Sequence, residues 1–382
     1  MKRPSFDCIV LGLGAMGSST AYQLALKGKK VLGLEQFTCA HDRGSSHGET
    51  RLIRKAYFEH PDYVPLLERS YQLWKELELR SGKKLLHETG LVIFGEEKKS
   101  QVLQGVRLSS SQYGISIEEW DYKTIQKRFP QANVSSAFIG LYEKSGGYLE
   151  VENCVQTFCE QAGHLGAELH FEEPVSSWKN TESGFEVTTS KGTYYAQQLV
   201  ITTGSWNGRL LKEANPFLKV HRAPLFWFES QGSFKKEKGV PCFAFDVPEG
   251  FFYGFTESGG EVKIALHQPL GLVEDPSRED RSVKPEEAKP VTDFVAEYLK
   301  DINPEPTRGV ICFYTLSPDT HFILDAIPDC PGGFWAGGFS GHGFKFASLI
   351  GEVLSDLVID GKTRSPVQFL AMERLQGKNN GK

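Results

Sequence analysis

The fold of this chain is decided by Phe6-Asp7-Cys8-Ile9-Val10-Leu11-Gly12-Leu13-Gly14-Ala15-Met16-Gly17. An apolar run leads into a Gly-x-Gly-x-x-Gly turn, which is typical of a buried parallel strand followed by a helix. We predict a strand at 6–11, a helix at 15–28 and a second strand from Lys30 to Glu35, which together form a βαβ unit. In such a turn Gly12 permits the tight bend, Gly14 lets the backbone approach a pyrophosphate, and Gly17 lets helix and strand pack closely.

The second predicted strand ends in an acidic residue, Glu35. A carboxylate at this point can accept hydrogen bonds from ribose hydroxyls, while the helix N-terminus binds phosphates. An acid here also argues against NADP, whose ribose carries a phosphate. The unit therefore predicts dinucleotide binding, and by itself it leaves FAD and NAD both open.

Composition excludes several partner classes. The net charge of −5 and the lack of a long basic run do not suggest nucleic acid or an anionic membrane as a partner. The chain has no apolar run of about 18 residues, so no membrane-spanning helix is predicted. The seven cysteines form no CxxC pair and no zinc spacing, so we expect reduced thiols in a cytoplasmic protein without a metal site.

The remaining pattern predicts an α+β fold. An α/β FAD-binding Rossmann-like domain would comprise residues 1–85, 150–215 and 320–382, and an inserted, mainly antiparallel substrate domain would comprise 86–149 and 216–319. The predicted helices are 62–80, 151–165, one near 291–300 and a final one, opened by the glycine-rich turn 337–343, that runs to about 358. The predicted strands are 168–171, 185–189, 193–196, 198–203, 223–229, 242–247, 251–255, 262–267, 309–314 and 321–324. The charged segment 272–290 is predicted to be a surface excursion.

Basic residues cluster just after the βαβ unit, in Arg43-Gly44-Ser45-Ser46-His47-Gly48-Glu49-Thr50-Arg51-Leu52-Ile53-Arg54. Small residues let the backbone run beside a flat ring or a phosphate, and cations favour an anionic reduced flavin. A solvated loop with surface arginines is the alternative that the residues alone leave open.

Three blocks together carry a family resemblance. They are Gly44 to Arg54, Cys312-Phe313-Tyr314-Thr315, and Gly338-Phe339-Ser340-Gly341-His342-Gly343-Phe344-Lys345-Phe346. In this order they resemble the monomeric sarcosine oxidase and N-methyltryptophan oxidase family, which also includes pipecolate oxidases. The resemblance runs from about residue 6 to 375 and implies an FAD-binding domain with an antiparallel substrate domain.

The resemblance also implies roles for individual residues. Cys312 would carry FAD as a thioether, Lys263 would assist oxygen reduction, and Arg54 and Lys345 would hold the substrate carboxylate. His47 and Arg51 match the basic pair on one face of the flavin. Tyr253, His267 and Tyr314 match residues that line the substrate pocket, and further cofactor contacts fall on Gly12, Gly14, Gly17, Glu35, Arg43, Ser45, Gly341, Gly343 and Lys345. From strand period alone, Lys263 and His267 are expected to point at one cavity.

The expected function is FAD-dependent oxidation of a secondary amino acid such as sarcosine, another N-methyl amino acid, pipecolate or proline. Oxygen would be reduced to hydrogen peroxide, and the protein would be a monomer. Alternatives are a deglycating oxidase of sugar-modified amino acids, an oxygen-independent dehydrogenase and a non-catalytic FAD-binding scaffold. Glu49 stands where the family commonly has aspartate, and Ala244 replaces a bulkier side chain of sarcosine-preferring members.

Overall fold

The computed structural model describes residues 5–376, and no helix in that range is long and apolar enough to cross a membrane. The strands there are β1 (Phe6–Leu11), β2 (Val31–Leu34), β3 (Thr50–Ile53), β4 (Leu86–His87), β5 (Leu91–Glu96), β6 (Glu118–Trp120), β7 (Phe138–Glu143), β8 (Gly147–Glu150), β9 (Glu168–His170), β10 (Val175–Thr181), β11 (Gly184–Thr189), β12 (Thr193–Ile201), β13 (Lys219–Ser230), β14 (Cys242–Val247), β15 (Gly250–Gly254), β16 (Glu261–Leu266), β17 (Ile302–Leu316), β18 (Ile323–Ala326) and β19 (Gly333–Gly337).

The helices of the same range are α1 (Ala15–Leu26), α2 (Tyr63–Ser81), α3 (Gln101–Tyr113), α4 (Tyr122–Arg128), α5 (Val151–His164), α6 (Asn207–Leu210), α7 (Pro285–Tyr298), α8 (Ala347–Asp360) and α9 (Glu373–Gln376). A 3₁₀ turn at Phe344–Phe346 leads into α8, after the glycine-rich segment predicted to open the last helix.

The first sheet has the order β10-β11-β12-β1-β2-β9, with β19 beside β12 and β18 beside β19. Its centre, β9-β2-β1-β12-β19, is parallel, as the predicted βαβ unit requires. Alternate residues of β1 enter different cores: Cys8 and Val10 pack with α1, α2, α5 and α8, whereas Ile9 and Leu11 face the opposite side. Burial on both faces explains why this strand is apolar without alternation.

The prediction of separate strands at 193–196 and 198–203 was wrong, because one strand, β12, runs through both. Its first half pairs with β11 in the antiparallel sense and its second half pairs with β19 in the parallel sense. In the first half, only Ala196 is buried, whereas Leu199, Val200 and Ile201 in the second half are all buried. The change of pattern along one strand therefore resembles a boundary between two strands.

The second sheet has the order β17-β13-β16-β15-β14-β5-β7-β6 and is antiparallel except where β14 pairs with β5. One face packs on α4 and α7. Tyr253, Cys312 and Tyr314 project from the other face, and Lys263 shares it because Val262 and Ile264 enter the first. The sheet thus gathers four predicted site residues on one face, and the mixed parallel and antiparallel architecture confirms the predicted fold class.

Helix α7 begins at Pro285, earlier than predicted, so part of the supposed surface excursion is helical. Pro290 lies inside this helix, where it cannot donate a backbone N–H. The helix start is fixed by Glu287, whose carboxylate accepts the backbone N–H of Lys284 at 2.9 Å and pairs with buried Arg222 at 2.5 Å. The proposed domain boundaries remain a prediction, although every strand of the second sheet falls within 86–149 or 216–319.

Candidate active site and cofactor cavity

A cavity of about 520 Å³ lies where the glycine-rich turn after β1 meets the carboxyl ends of β2 and β12. Ligands of open parallel sheets bind at this edge, beside the N-terminus of the first helix. Predicted site residues that line it are Gly12, Gly14, Glu35, Ser45, Arg51, Tyr314, Gly341 and Gly343. Residues distant in sequence therefore meet around one cavity.

Two glycines of the turn are required by close packing. A Cβ atom on Gly17 would lie 1.8 Å from the carbonyl oxygen of Gly12, and one on Gly12 would lie 2.9 Å from that of Thr202. Gly12 also has a φ of +83°, which favours glycine. Gly17 therefore acts by bringing α1 close to the turn rather than by lining the cavity.

Glu35 both lines the cavity and braces the turn. Its carboxylate accepts the backbone N–H groups of Leu13 at 2.8 Å and Phe37 at 3.1 Å. Burial raises the pKa of this carboxyl. Burial, together with the charge of His47, lowers the pKa of nearby His41 to about 4, so His41 is neutral at neutral pH. A carboxylate has about four acceptor positions, so Glu35 retains capacity to accept ribose hydroxyls.

Cys312 lies on β17, and its thiol is held between the basic side chains of Arg51 and His47. Its Sγ lies 3.3 Å from Arg51 Nη2 and 3.3 Å from His47 Nε2, and the residue is 1% exposed. Burial raises the thiol pKa, but the charges of Arg51 and His47 and their hydrogen bonds outweigh it and hold the pKa at about 7. A large fraction of Cys312 is therefore thiolate at neutral pH, the form that reacts as a nucleophile.

Lys263 is buried on β16, and its ammonium donates to two backbone carbonyls. Nζ lies 2.7 Å from the oxygen of Gly48 and 2.6 Å from that of Thr50. It also lies 4.2 Å from the ring centre of Phe255. Burial and then the charge of Arg51 lower its pKa well below the usual value. The two carbonyls and the aromatic ring partly compensate for the loss of water around this cation.

A second, smaller cavity of about 50 Å³ shares Arg51, Gly341 and Phe344 with the first. Its remaining walls are Leu52, Arg54, Phe58, Glu59, Phe251, Tyr253, His267, His342 and Lys345. It therefore combines cations with aromatic rings, and it lies against one end of the larger cavity.

Two buried cations, Arg54 and Lys345, face this second cavity, and Glu59 supplies the carboxylate beside them. Arg54 pairs with Glu59 at 2.7 Å, and its Nε is buried without a hydrogen-bond partner within the described residues. Lys345 Nζ donates to the carbonyl of His342 at 2.7 Å. Burial and then the charge of Arg54 lower the pKa of Lys345 to about 7. The site has unused donors, which suit an anionic ligand.

The polar aromatic groups form the other wall. His267 Nδ1 lies 3.2 Å from the hydroxyl of Tyr314, and burial lowers the pKa of His267 to about 4. The hydroxyl of Tyr57 contacts His342 Nδ1 at 2.5 Å, while the other ring nitrogen of His342 lies 3.1 Å from the carbonyl of Thr320. Because these histidines are neutral at pH 7, the positive charge of the cavity comes from Arg54, Lys345 and Arg51.

Five predicted site residues lie outside the lining of both cavities: Gly17, Arg43, His47, Lys263 and Cys312. Arg43 also lies apart from the other four. Its side chain is 56% exposed and pairs with Asp42, outside the lining of either cavity. Lys263 and His267 share the same sheet face, but His267 lines the second cavity whereas Lys263 is engaged with the turn at 48–50. Ser45 donates to the carbonyl of Phe313 at 2.6 Å and so joins the first block to the Cys312 block.

Comparison with known proteins now decides the family. The family model described as "FAD dependent oxidoreductase" matches residues 7–357. The chain belongs to this family. Its members most similar in sequence include monomeric sarcosine oxidase of Streptomyces avermitilis, 38% identical over 97% of this chain and 98% of that protein. N-methyl-L-tryptophan oxidase of Yersinia pestis is 32% identical over 97% of this chain and 100% of that protein.

Solved structures agree on the fold of this FAD-dependent oxidoreductase. NikD, described as an unusual amino acid oxidase essential for nikkomycin biosynthesis, has a TM-score of 0.84 over 96% of this chain and 97% of its own, at 24% identity. L-proline dehydrogenase from P. horikoshii has a TM-score of 0.86 over 99% of both chains, at 19% identity. The predicted family, enzyme class and FAD requirement are confirmed.

The residues around the larger cavity fit FAD. Gly12 and Gly14 line the cavity at the turn, Gly17 lets α1 pack close behind it, and the start of α1 offers backbone N–H groups for the pyrophosphate. Glu35 is placed to accept from ribose hydroxyls, and Arg51 supplies positive charge where the cavity meets the smaller one. Bound FAD supplies the two-electron acceptor of the reaction.

Sequence reasoning missed several lining residues. Glu59 lies in an irregular segment five residues after Arg54, where no periodicity marks it. Thr202, Gly204 and Trp206 line the larger cavity just after β12. Their position could have been inferred, because residues just after the carboxyl end of a central parallel strand commonly face the ligand.

Proposed function

We propose that this enzyme oxidises small secondary amino acids, such as sarcosine, with oxygen as electron acceptor. The proposal rests on one observation: a cation-lined aromatic cavity adjoins the end of the cofactor cavity where Arg51 lies. The relatives' names support it, since they are sarcosine and N-methyltryptophan oxidases. A two-electron oxidation of the C–N bond would give an imine, which water would hydrolyse. O₂ would be reduced to H₂O₂.

In the proposed reaction, Arg54 and Lys345 bind the carboxylate. An arginine offers a bidentate fork and a lysine a point charge, which together fix the orientation of a small anion. The Phe58 ring centre lies 4.3 Å from the guanidinium carbon of Arg54 and 5.1 Å from the ring centre of Phe251, so these two rings shield the carboxylate end from water. Burial keeps His267 neutral at pH 7. It can therefore hydrogen-bond to an uncharged amine without placing a positive charge beside it.

Two finer features belong to the same proposal. Cys312 would hold FAD through a thioether to the flavin 8-methyl group, a reaction favoured by the thiolate that Arg51 and His47 stabilise. The C–S bond would replace one methyl C–H bond and the S–H bond, and the two electrons would pass to the flavin and from it to O₂. Lys263 accelerates the oxygen half-reaction by stabilising negative charge on oxygen. The enzyme is proposed to act as a monomer in the cytoplasm, in line with seven free cysteines and the name of its sarcosine oxidase relatives.

Anaerobic titration with a substrate panel tests the proposed substrate class. Sarcosine, N-methylated larger amino acids, pipecolate, proline and a fructosyl amino acid are each added to the holoenzyme while flavin absorbance is followed. We expect a secondary amino acid to bleach the flavin fastest. Fastest bleaching by the fructosyl amino acid would favour a deglycating oxidase, and no bleaching by any compound would favour a scaffold.

Arg54→Ala should weaken binding of simple organic acids. Charge-assisted hydrogen bonds contribute about 1.5–3 kcal/mol, so the Kd should rise by roughly one to two powers of ten. Arg54→Lys should not restore full affinity, because a point charge cannot replace the fork. The Kd is measured from inhibitor-induced changes in the flavin spectrum, with the exposed-arginine variant Arg43→Ala as control. An unchanged Kd in Arg54→Ala would place the carboxylate elsewhere.

Inhibitor binding should also depend on pH through Lys345. Its pKa is lowered to about 7, so the ammonium is charged below that pH and loses its proton as pH rises through it. An organic acid without an amine should therefore bind more weakly above pH 7. In Arg54→Ala the midpoint should move to higher pH, because the charge of Arg54 contributes to the lowering. The same affinity from pH 6 to 9 would count against carboxylate contact with Lys345.

A further inference from the structure

The backbone at Glu49 has an uncommon conformation. Its φ is +70°, and the N–H of Thr50 donates to the carbonyl of Gly48 at 2.9 Å, two residues back. A hydrogen bond between residues i and i+2 around a positive φ defines the rare, strained form of the γ-turn. A glutamate, which carries a Cβ, pays a strain cost here that glycine would avoid.

This turn creates the binding site of the Lys263 ammonium. The two carbonyls that accept from Nζ belong to Gly48 and Thr50, the residues on either side of Glu49. The carbonyl of Thr50 also accepts from Arg51 Nη1 at 2.9 Å, so one oxygen lies between buried Lys263 and partly buried Arg51. A relaxed turn would separate these carbonyls and leave Lys263 facing Arg51 with fewer compensating dipoles.

Surrounding groups hold Glu49 in the turn. Its backbone N–H and that of Gly48 donate to the carboxylate of Glu152, at 3.0 and 2.6 Å. Its carboxylate accepts from the indole N–H of Trp227 at 2.9 Å and from Arg308 at 2.8 Å. The Arg308 pair is exposed and contributes little. Trp227 is 2% exposed, so its N–H needs this acceptor, and it pairs directly across the sheet from Lys263.

We propose that Glu49 is a positioning residue for the oxygen half-reaction: its side chain holds the strained turn whose two carbonyls fix the Lys263 ammonium. Glu49 acts through the turn and not through contact with substrate. The inference rests on the proposed role of Lys263 and adds the device that maintains it. Trp227 and Glu152 are the two anchors through which the rest of the fold enforces the conformation.

Comparison of Glu49→Ala with Glu49→Gly tests whether the strained turn fixes the Lys263 ammonium. Both substitutions remove the carboxylate anchors, but Glu49→Ala keeps the strain of a Cβ at positive φ, whereas glycine adopts that φ freely. Flavin reoxidation by O₂ should therefore slow by roughly ten- to a hundredfold in Glu49→Ala and by less in Glu49→Gly. Reduction by the amino acid should be unchanged in both. Glu261→Ala, which removes the other carboxylate partner of Arg308, serves as the control and should leave both rates near native.

Stopped-flow measurement of both half-reactions separates the possible outcomes. If Lys263→Met slows reoxidation but Glu49→Ala does not, the inference fails and the proposed role of Lys263 stands. If neither slows it, the role of Lys263 fails. If O₂ reoxidises the flavin more slowly in Glu49→Gly than in Glu49→Ala, the turn has only a structural role and the inference is overturned. The same follows if flavin reduction by the amino acid slows as much as reoxidation.

Discussion

Lys263→Met is expected to slow reoxidation of the reduced flavin by O₂ by about 10²–10³, which is typical for loss of one well-placed electrostatic donor. Methionine preserves much of the side-chain volume in this buried position but removes the cation. The amino acid should reduce the flavin at a nearly native rate, because Lys263 does not line the substrate cavity. The rates are measured separately by mixing reduced enzyme with oxygen and oxidised enzyme with substrate under anaerobic conditions.

A matched control for this experiment is Lys289→Met, since that lysine is exposed on α7 and pairs only with Asp293 within the described residues. It should leave both rates unchanged. Equal slowing of reduction and reoxidation in Lys263→Met would mean that the substitution distorts the site, and the proposed oxygen role would then be untenable.

Cys312→Ser is expected to abolish covalent attachment of the flavin. In the native protein, acid precipitation should leave the yellow colour in the pellet, whereas in the variant the flavin should appear in the supernatant. The physical reason is the thiolate: Arg51 and His47 hold the Cys312 pKa at about 7, and a serine hydroxyl is not ionised at neutral pH. Absorbance of pellet and supernatant after denaturation gives the bound fraction directly.

Cys330→Ser is the control, because Cys330 is partly exposed, far in sequence from the basic pair and free. It should retain the flavin as the native chain does. Free FAD released from the native protein would refute the thioether while leaving FAD binding itself intact, since the cavity beside the turn at Gly12 and Gly14 is not lined by Cys312.

The sequence predicted the parts of the fold that depend on local chemistry. The strand, turn and helix at 6–28 followed from the order of apolar residues and glycines, and the structure places them within two residues. Errors arose where context overrides local pattern. Strand β12 changes partners halfway, and α7 begins at Pro285, inside the charged segment that was expected to be a surface excursion.

The site shows a similar division. Arg51 and Cys312 lie 261 positions apart, and no local pattern predicts that their side chains approach to 3.3 Å. Only the order of three motifs linked them, through resemblance to a family. The Arg54–Glu59 pair and the turn at Glu49 depend on irregular backbone, which has no periodicity to detect. Such features become visible only when the coordinates are known.

The central claim, oxidation of a secondary amino acid by oxygen, is tested most directly by oxygen uptake with sarcosine and its homologues. We expect one H₂O₂ to form for each O₂ consumed, and added catalase to return half of the oxygen. An imine-derived aldehyde or cyclic imine should accumulate in the same amount. If these amino acids reduce the flavin but consume no O₂ without an added dye, the protein is a dehydrogenase, and the oxidase account is contradicted.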